Sequence, residues 1–375
     1  MKKQSTPELQ RVPLEEVCLS ILAGRLSDNC MDFLLQAPQP PSEESVSNAL
    51  QVLEEVGAIN PISAKKLGSR VEIITPLGMH LAKLPVHVRL GKMLIFGSLF
   101  GVVDRVLTIV ATLSSKSPFM ANIDNSPQVS AAHRVFRHST SDFLTTCNAW
   151  EAYMAALTIS ASNARKFCTK HFLNRSAFIE IGDMRRQFFQ VLQSIGFIDG
   201  NQVKSLDDLV SSPFNKYGAR EEVINAAICA GLYPNVAHIT SQLSESTAAL
   251  FSKDERVWLH KSSTNHNKRL DSEWVVFQEK FATSKTFVSA TSQIQPFSLL
   301  LFGESVIVHH VERKVVVDGW IELNVSAQVG VMFRELKCAL SKVIQERMDT
   351  SNANTATADS IINGICRMLS IEAQK

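Results

Sequence analysis

The stretch VRLGKMLIFGSLFGVVDRVLTIVATLSS, Val88 to Ser115, decides how the rest of the chain is read. Its Gly91-Lys92 pair, set ahead of an apolar run, raises the possibility of a phosphate loop. A Walker A loop needs a glycine five residues before the Gly-Lys pair and Ser or Thr after the lysine, because backbone N–H groups wrap the phosphate and the hydroxyl holds magnesium. Val86 and Met93 occupy those positions, and no acidic DExx-type quartet follows on a strand. The stretch is therefore a helical segment without a nucleotide site, and Lys92 is expected on its surface. Gly97 and Gly101 stand four apart, a spacing that lets another helix approach closely. The unbroken apolar run, Met93 to Val103, is too short for a membrane span, which needs roughly 20 residues.

Working outward, the preceding segment reads as small and mostly helical. PPSEESVSNALQVLEEVGAIN offers Ser42 as an N-cap, helical spacing of Val46, Ala49, Leu50, Leu53 and Val56, and Gly57 at the C-terminal stop. An earlier helix, PLEEVCLSILAG, precedes it, and a β-like piece from Val71 to Ile74 leads to Thr75-Pro76, a cap with proline at the first helical position. Helix, helix and short strand in this order is the pattern of a winged-helix domain. Downstream to about Ile198 all segments read as helix, a helical bundle. NQVKSLDDLVSSPFNKYG is a polar linker, and REEVINAAICAGLYPNVAHI is a helix running into a strand. Then RVWLH, EWVVFQEKF, TFVSATSQI, SLLLFG, SVIVHHVE and KVVVDGWIELNV read as short strands, which predicts a small barrel or sandwich. A closing helix over about Ala327 to Met348 precedes a low-complexity spacer, DTSNANTATADS, and a final short helix, IINGICRMLSIE.

The chain has 375 residues, a length for two or three domains, with 45% hydrophobic and 20% charged residues as in ordinary globular proteins. Charge is uneven: residues 79–200 carry 13 Lys/Arg against 7 Asp/Glu and five of the ten histidines, whereas residues 1–78 are net −3. A basic middle segment suits a polyanion partner and equally a solvated helical surface. The 7 cysteines form no CxxC pair and are odd in number, which points to reduced thiols in the cytoplasm, with the nucleus as alternative. The N-terminal MKKQSTPELQ has no signal-peptide core.

Catalytic and metal constellations are weak. Cys168 and His171 in CTKH lack a second pair, His133 and His138 in HRVFRH are spaced five apart, and His309-His310 point to opposite sheet faces. The segment WLHKSSTNHNKRL, Trp258 to Leu270, is richer. It joins two predicted strands and gathers lysines, an arginine, histidines, hydroxyls and asparagines suited to phosphate and sugar contacts, or to an ordinary polar hairpin loop.

TPLGMHLAKLPVHVRLGKMLIFGSLFGVVDRVLTIVATLSSKSPF closely resembles the ratchet (helicase-associated) region of the DEAH/RHA RNA helicases. PELQRVPLEEVCLSIL and PPSEESVSNALQVLEEVGAI resemble the family's winged helix; AAICAGLYPNVAHI, LHKSSTNHN, LLLFG and VVVDGWIELNVSAQVGVMFRELKCAL resemble its OB-fold. The resemblance runs in family order from Pro7 to Met348. It implies an α+β multidomain chain: a linker over 1–12 from a RecA-like domain, a winged helix over 13–78, a helical ratchet over 79–200, a linker over 201–219, an OB-fold β-barrel with a closing helix over 220–348 and a tail over 349–375.

The resemblance also implies a function. This block would close one side of a single-stranded RNA channel by backbone contacts, and support a motor in RecA-like domains of the same polypeptide that the chain does not hold. ATP and magnesium are expected only in those domains, and no cofactor or catalytic residue on this chain, so it would be a fragment or a truncated gene product. By carry-over, the family's His-Pro-Ser-Ser loop is His260, Lys261, Ser262 and Ser263. Ser262, Ser263 and Asn265 are expected to face RNA, with Lys280, Thr283 and Lys285 as second-rank contacts. Lys261 replaces the usual proline, and Arg105 replaces proline in an Asp-Pro step, where a changed helix junction is expected. The alternative is a platform docking a helicase regulator or ribosomal component with little RNA affinity; no membrane partner is expected.

Overall fold

A computed structural model describes residues 8–63, 70–120, 126–244, 247–349 and 356–372. The chain forms two compact units, Met1–Lys92 with Ser341–Ala353, and Met93–Leu340 with Asn354–Lys375.

The first unit opens with a 3-10 turn at Glu8–Gln10, then α1 (Glu15–Ala23), α2 (Cys30–Leu35) and α3 (Glu43–Val56). Ser42 caps α3 by accepting the Ser45 N–H at 3.2 Å, and Val46, Ala49, Leu50, Leu53 and Val56 are its buried face. Strands β1 (Ile59–Ser63) and β2 (Arg70–Ile74) pair antiparallel, and α4 (Pro76–Leu81) follows, capped by the Thr75 hydroxyl on the Gly78 N–H at 3.0 Å. Helix α5 (Val88–Leu99) begins here. Lys92 is not the surface residue its sequence suggests. It is 8% exposed, and its Nζ donates to the Val56 carbonyl at 2.8 Å. That carbonyl belongs to the last residue of α3, where the helix dipole favours a cation.

In the second unit the long apolar stretch is two helices. α5 ends at Leu99, Gly101 turns the backbone at φ +65°, and α6 (Val103–Leu113) folds back. Gly97 is the point of close approach, but its neighbour is the next helix along the chain: a Cβ there would lie 2.8 Å from Val106 Cγ1. Arg105 sits in the first turn of α6 and pairs with Glu151 at 3.3 Å. The helical array continues with α7 (Pro127–Arg134), α8 (Asp142–Ile159), α9 (Ala161–Lys170) and α10 (Arg175–Ser194). Arg185 ties α10 to α6, donating to the Asp104 carboxylate at 2.6 Å and its carbonyl at 2.7 Å, with its guanidinium 5.1 Å from the Trp150 ring centre.

The segment read as a polar linker is ordered: α11 (Leu206–Val210) and a 3-10 turn at Pro213–Asn215 pack on α6, and the Tyr217 N–H meets the Gly101 carbonyl at 2.9 Å. Helix α12 (Glu221–Leu232) is buried along nearly its whole length and leads into the barrel. Strands β3 (Val236–Ser244), β4 (Thr247–Ser252), β5 (Glu255–Leu259), β6 (Trp274–Ala282) and β7 (Thr286–Ile294) close in the order β3-β4-β5-β7-β6, with β5 and β7 parallel. Ala237, Leu250, Val257, Val275, Phe277 and Val288 fill the interior.

SLLLFG, expected as a strand, is helix α13 (Pro296–Phe302), with proline at its start and Leu299 to Leu301 all buried. A short apolar run buried all round carries no period to distinguish helix from strand. The last strands, β8 (Val306–His309), β9 (Lys314–Val317) and β10 (Ile321–Leu323), form a separate antiparallel sheet. Helix α14 (Ala327–Asp349) matches the expected closing helix. α15 (Ala356–Glu372) is longer than expected, and packs on α12 and α13 with Ile365, Cys366 and Leu369 buried. Residues 350–355 of the spacer before it, and residues 1–7 of the expected N-terminal linker, lie outside the described residues. No helix among the described residues is long and apolar enough to cross a membrane.

Candidate nucleic-acid interface

The segment between β5 and β6 starts at the barrel wall, where the His260 N–H donates to the Val288 carbonyl at 2.9 Å. It then tightens into a polar knot. His260 Nδ1 lies 2.7 Å from the Ser262 hydroxyl, and the Ser263 hydroxyl lies 2.7 Å from that of Thr291 on β7. The Asn265 amide donates to Thr291 Oγ1 at 2.9 Å and to the Thr140 carbonyl at 3.1 Å, and its oxygen accepts from Gln293 at 3.0 Å.

The N-terminus of α8 completes the knot. Asp142 accepts the N–H groups of Thr264 at 2.6 Å and Thr291 at 2.7 Å; the Thr264 hydroxyl donates to the His138 carbonyl at 2.7 Å. Gln293 N–H meets the Thr140 carbonyl at 3.0 Å. Burial pushes the Asp142 carboxyl above the ordinary aspartate range, with the two amides pulling the other way.

The loop thus divides into an outer and an inner part. Lys261 and Ser262 are exposed. Ser263 is 1% exposed and Asn265 0%, so two of the three side chains expected to face RNA are turned inward and committed to the fold, and Ser262 alone of the three stays outside. A short Ser/Thr/Asn-rich stretch says nothing of which hydroxyls point in; the period of a loop is not readable from composition.

Around Lys261 and Ser262 opens a groove of about 700 Å³. One wall is α7 with the residues after it, supplying His133, Arg134 and Arg137; the floor is the start of α8 and Ser289-Ala290 of β7. Arg134 and Arg137 are exposed, and Arg137 also donates to the Ser263 carbonyl at 3.3 Å. Behind the loop, burial and the neighbouring Arg137 hold Lys268 below the ordinary lysine value; burial, His260 and Arg137 do the same to His266. Burial is the larger cause of each shift, and at Lys268 the carboxylates of Asp271 and Asp142 pull the other way. Arg134 and Arg137 fall in HRVFRH, a stretch weighed only as a metal pair in the sequence. Its signal was the basic charge of the middle segment.

Lys280, Thr283 and Lys285 do not line the groove. Lys280 pairs with Glu255 at 2.5 Å, Thr283 N–H closes a turn on the Lys285 carbonyl at 2.9 Å, and the Lys285 ammonium lies 5.0 Å from the Trp258 ring centre. Among the described residues no group of three or more His, Cys, Asp or Glu is placed to hold a metal ion. Cys168 is buried, and the His171 ring packs 5.1 Å from Phe136 and 4.8 Å from Phe167.

A helical array stitched through Asp142 to a closed five-stranded barrel is the architecture of a helicase ratchet followed by an OB-fold. Three family models match the chain in that order: the ratchet-like helicase associated domain over residues 87–146, the oligonucleotide/oligosaccharide-binding OB-fold over 224–307, and the C-terminal domain in RNA helicases over 313–370. Together these matches identify the chain as a DEAH-type helicase C-terminal region. It is 34% identical over 97% of its length to the ATP-dependent RNA helicase dhx29 of Xenopus laevis, and 31% identical over 98% to human DHX29. It is 33% identical over 98% to the chloroplastic DExH-box ATP-dependent RNA helicase DExH4 of Arabidopsis thaliana. The chain spans about a quarter of these relatives' lengths, 26%, 26% and 28%.

Proposed function

We propose that this chain is the single-stranded RNA channel module of a DEAH-type helicase, gripping the RNA backbone in the groove between α7, α8 and the β5–β6 loop. The observation that carries the proposal is the convergence of exposed Arg134, Arg137 and Lys261 with the Ser262 hydroxyl on one groove. The guanidiniums and the ammonium neutralise phosphates, and the hydroxyl donates to phosphate or sugar oxygens, contacts that position a strand without reading its sequence. Asp142 holds the loop from behind, so its cations are presented on a fixed frame. The chemistry of ATP is assigned to RecA-like domains of the parent polypeptide. The first unit, α1 to α3 followed by the β1–β2 hairpin, is read as the winged helix. Seven cysteines without a CxxC pair, six of them buried, support a reducing compartment, the cytoplasm.

Fluorescence anisotropy with a labelled single-stranded oligoribonucleotide tests this. Three phosphate contacts give a log–log salt slope of about −2, at roughly 0.7 per phosphate on single strands. The double change Arg137→Ala with Lys261→Ala should weaken binding and flatten the slope by about 1.4. Unchanged affinity and slope would remove the groove from the channel.

A second reading, a platform for a protein regulator or a ribosomal component, is favoured by the β8–β9 hairpin, where Val311 is 97% exposed and Ile307 52%. Retention of such a partner by the full chain after nuclease treatment, and its loss on Val311→Asp, would favour it.

A further inference from the structure

A second feature of the barrel lies beside the groove and is not absorbed by it. Val257 and Val288 point into the barrel core, so their strand neighbours Trp258 and Phe287 point outward. Those two are register partners on the parallel β5–β7 ladder, and Phe287 is also the partner of Phe281 on β6. The Phe281 and Phe287 rings stack with centres 6.1 Å apart and planes at 26°. His260 sets its ring 5.5 Å from Phe281 and 6.2 Å from Phe287. Two cations lie over the Trp258 ring, Arg256 at 4.9 Å and Lys285 at 5.0 Å from its centre, held by cation–π contacts that a stacking base and its phosphates would exchange for their own. Neither is in an ion pair among the described residues. The nearby carboxylates are engaged, Glu255 with Lys280 at 2.5 Å and Glu279 with the Ser289 hydroxyl at 3.0 Å.

We propose that Trp258, Phe287 and Phe281 form a base-stacking platform for single-stranded RNA, with Arg256 and Lys285 on the phosphates, which extends the track of the groove along the outside of the barrel. The proposal rests on the RNA reading of the groove and adds to it: the groove holds backbone, the platform holds bases. Three observations select this occupant. The half-buried rings keep open surface on a sheet face, where stacking is available to every base. The surface carries two cations, Arg256 and Lys285, as a phosphate chain requires. The platform is also continuous with the groove, since His260 belongs to the first and its neighbour Lys261 lines the second. Trp258 stands two residues further along β5, about 7 Å at ordinary strand rise.

The test uses the 375-residue chain and two labelled strands, an oligouridylate and the same backbone with abasic sugars. Stacking of one base changes affinity by about tenfold or more. Trp258→Ala should therefore weaken oligouridylate binding about tenfold while leaving abasic binding unchanged, which also certifies the fold of the variant. Trp258→Phe, which keeps a ring, should restore most of the loss. Arg137→Ala with Lys261→Ala should weaken both strands alike. If wild-type chain holds the abasic strand as tightly as oligouridylate, or if Trp258→Ala binds both as wild type does, the platform is overturned and the groove stands. Equal quenching of tryptophan fluorescence by polyglutamate would overturn it in favour of an acidic peptide. Binding of neither strand by the wild-type chain overturns groove and platform together.

Discussion

Asp142 Oδ1 accepts the backbone N–H of Thr264 at 2.6 Å, and its other oxygen accepts that of Thr291 at 2.7 Å. One carboxylate at the start of α8 thus fixes two separate segments of the barrel. Asp142→Asn preserves shape but turns an amide NH₂ toward one of those N–H donors. Hydrogen bonds to charged groups are worth about 1.5–3 kcal/mol each. In a chain of this size each kcal/mol moves Tm by roughly 2–4 °C. A fall of about 3–12 °C in thermal unfolding is expected; an unchanged Tm would show that the clamp contributes nothing.

Lys92 makes a comparable contact in the first unit. Lys92→Met retains the methylene stem and removes the ammonium, leaving the Val56 carbonyl without the donor now 2.8 Å away. The expected loss is about 1–3 kcal/mol, read as a lower urea midpoint at unchanged m-value. Lys166→Met, at an exposed position of α9, is the control and should stay within about 0.5 kcal/mol of wild type. Equal effects of the two changes would argue against a specific role for Lys92.

These two residues mark the limit of what the sequence discloses. Periodic features were legible: the Ser42 cap and apolar stripe of α3, the helical middle and the closing helix all rest on repeats that a single chain displays. Lys92 was misread because excluding a phosphate loop left only the surface as its place, whereas its partner is 36 residues away. Asp142 escaped notice for the same reason, its partners standing 122 and 149 residues downstream. In the β5–β6 loop the chemistry was visible but its direction was not. Lys261 and Ser262 face out, and Ser263 and Asn265 face in, because β7 and α8 supply the partners.

Three histidines make stability depend on pH. Burial is the first cause that holds His87, His238 and His266 below the ordinary value of 6.5. The His238 ring lies stacked on Trp274 at 4.4 Å. With folded values below the unfolded one, the unfolded chain binds more protons in the interval between them, so stability rises with pH there. The stabilisation is complete above the unfolded histidine value and is lost as pH falls through the depressed ones. Tm should therefore drop between about pH 7.5 and pH 5.5, by less in His238→Gln than in wild type. A pH-independent Tm over that interval would contradict the burial of these rings.

Gly97 and Val106 test the hairpin of α5 and α6 on which the opening stretch turns. A Cβ at Gly97 would lie 2.8, 2.9 and 3.0 Å from three carbons of the Val106 side chain. Val106 is 0% exposed, and a β-branched side chain in a helix has one strongly preferred rotamer, so it cannot swing aside. Overpacking of this kind costs about 1–3 kcal/mol, set against a gain of roughly 1 kcal/mol from alanine's helix propensity. Gly97→Ala alone should therefore destabilise. Val106→Ala alone should also destabilise, by opening a cavity. In the double variant the two γ-carbons of residue 106 are gone while its Cβ, 2.9 Å away, stays, so the clash is relieved in part and the double variant should be more stable than the sum of the two losses predicts. The coupling in urea unfolding should exceed about 0.5 kcal/mol, the threshold for contacting residues. Strict additivity would mean that the two helices are held apart at this point, and that the glycine serves the sequence in some other way.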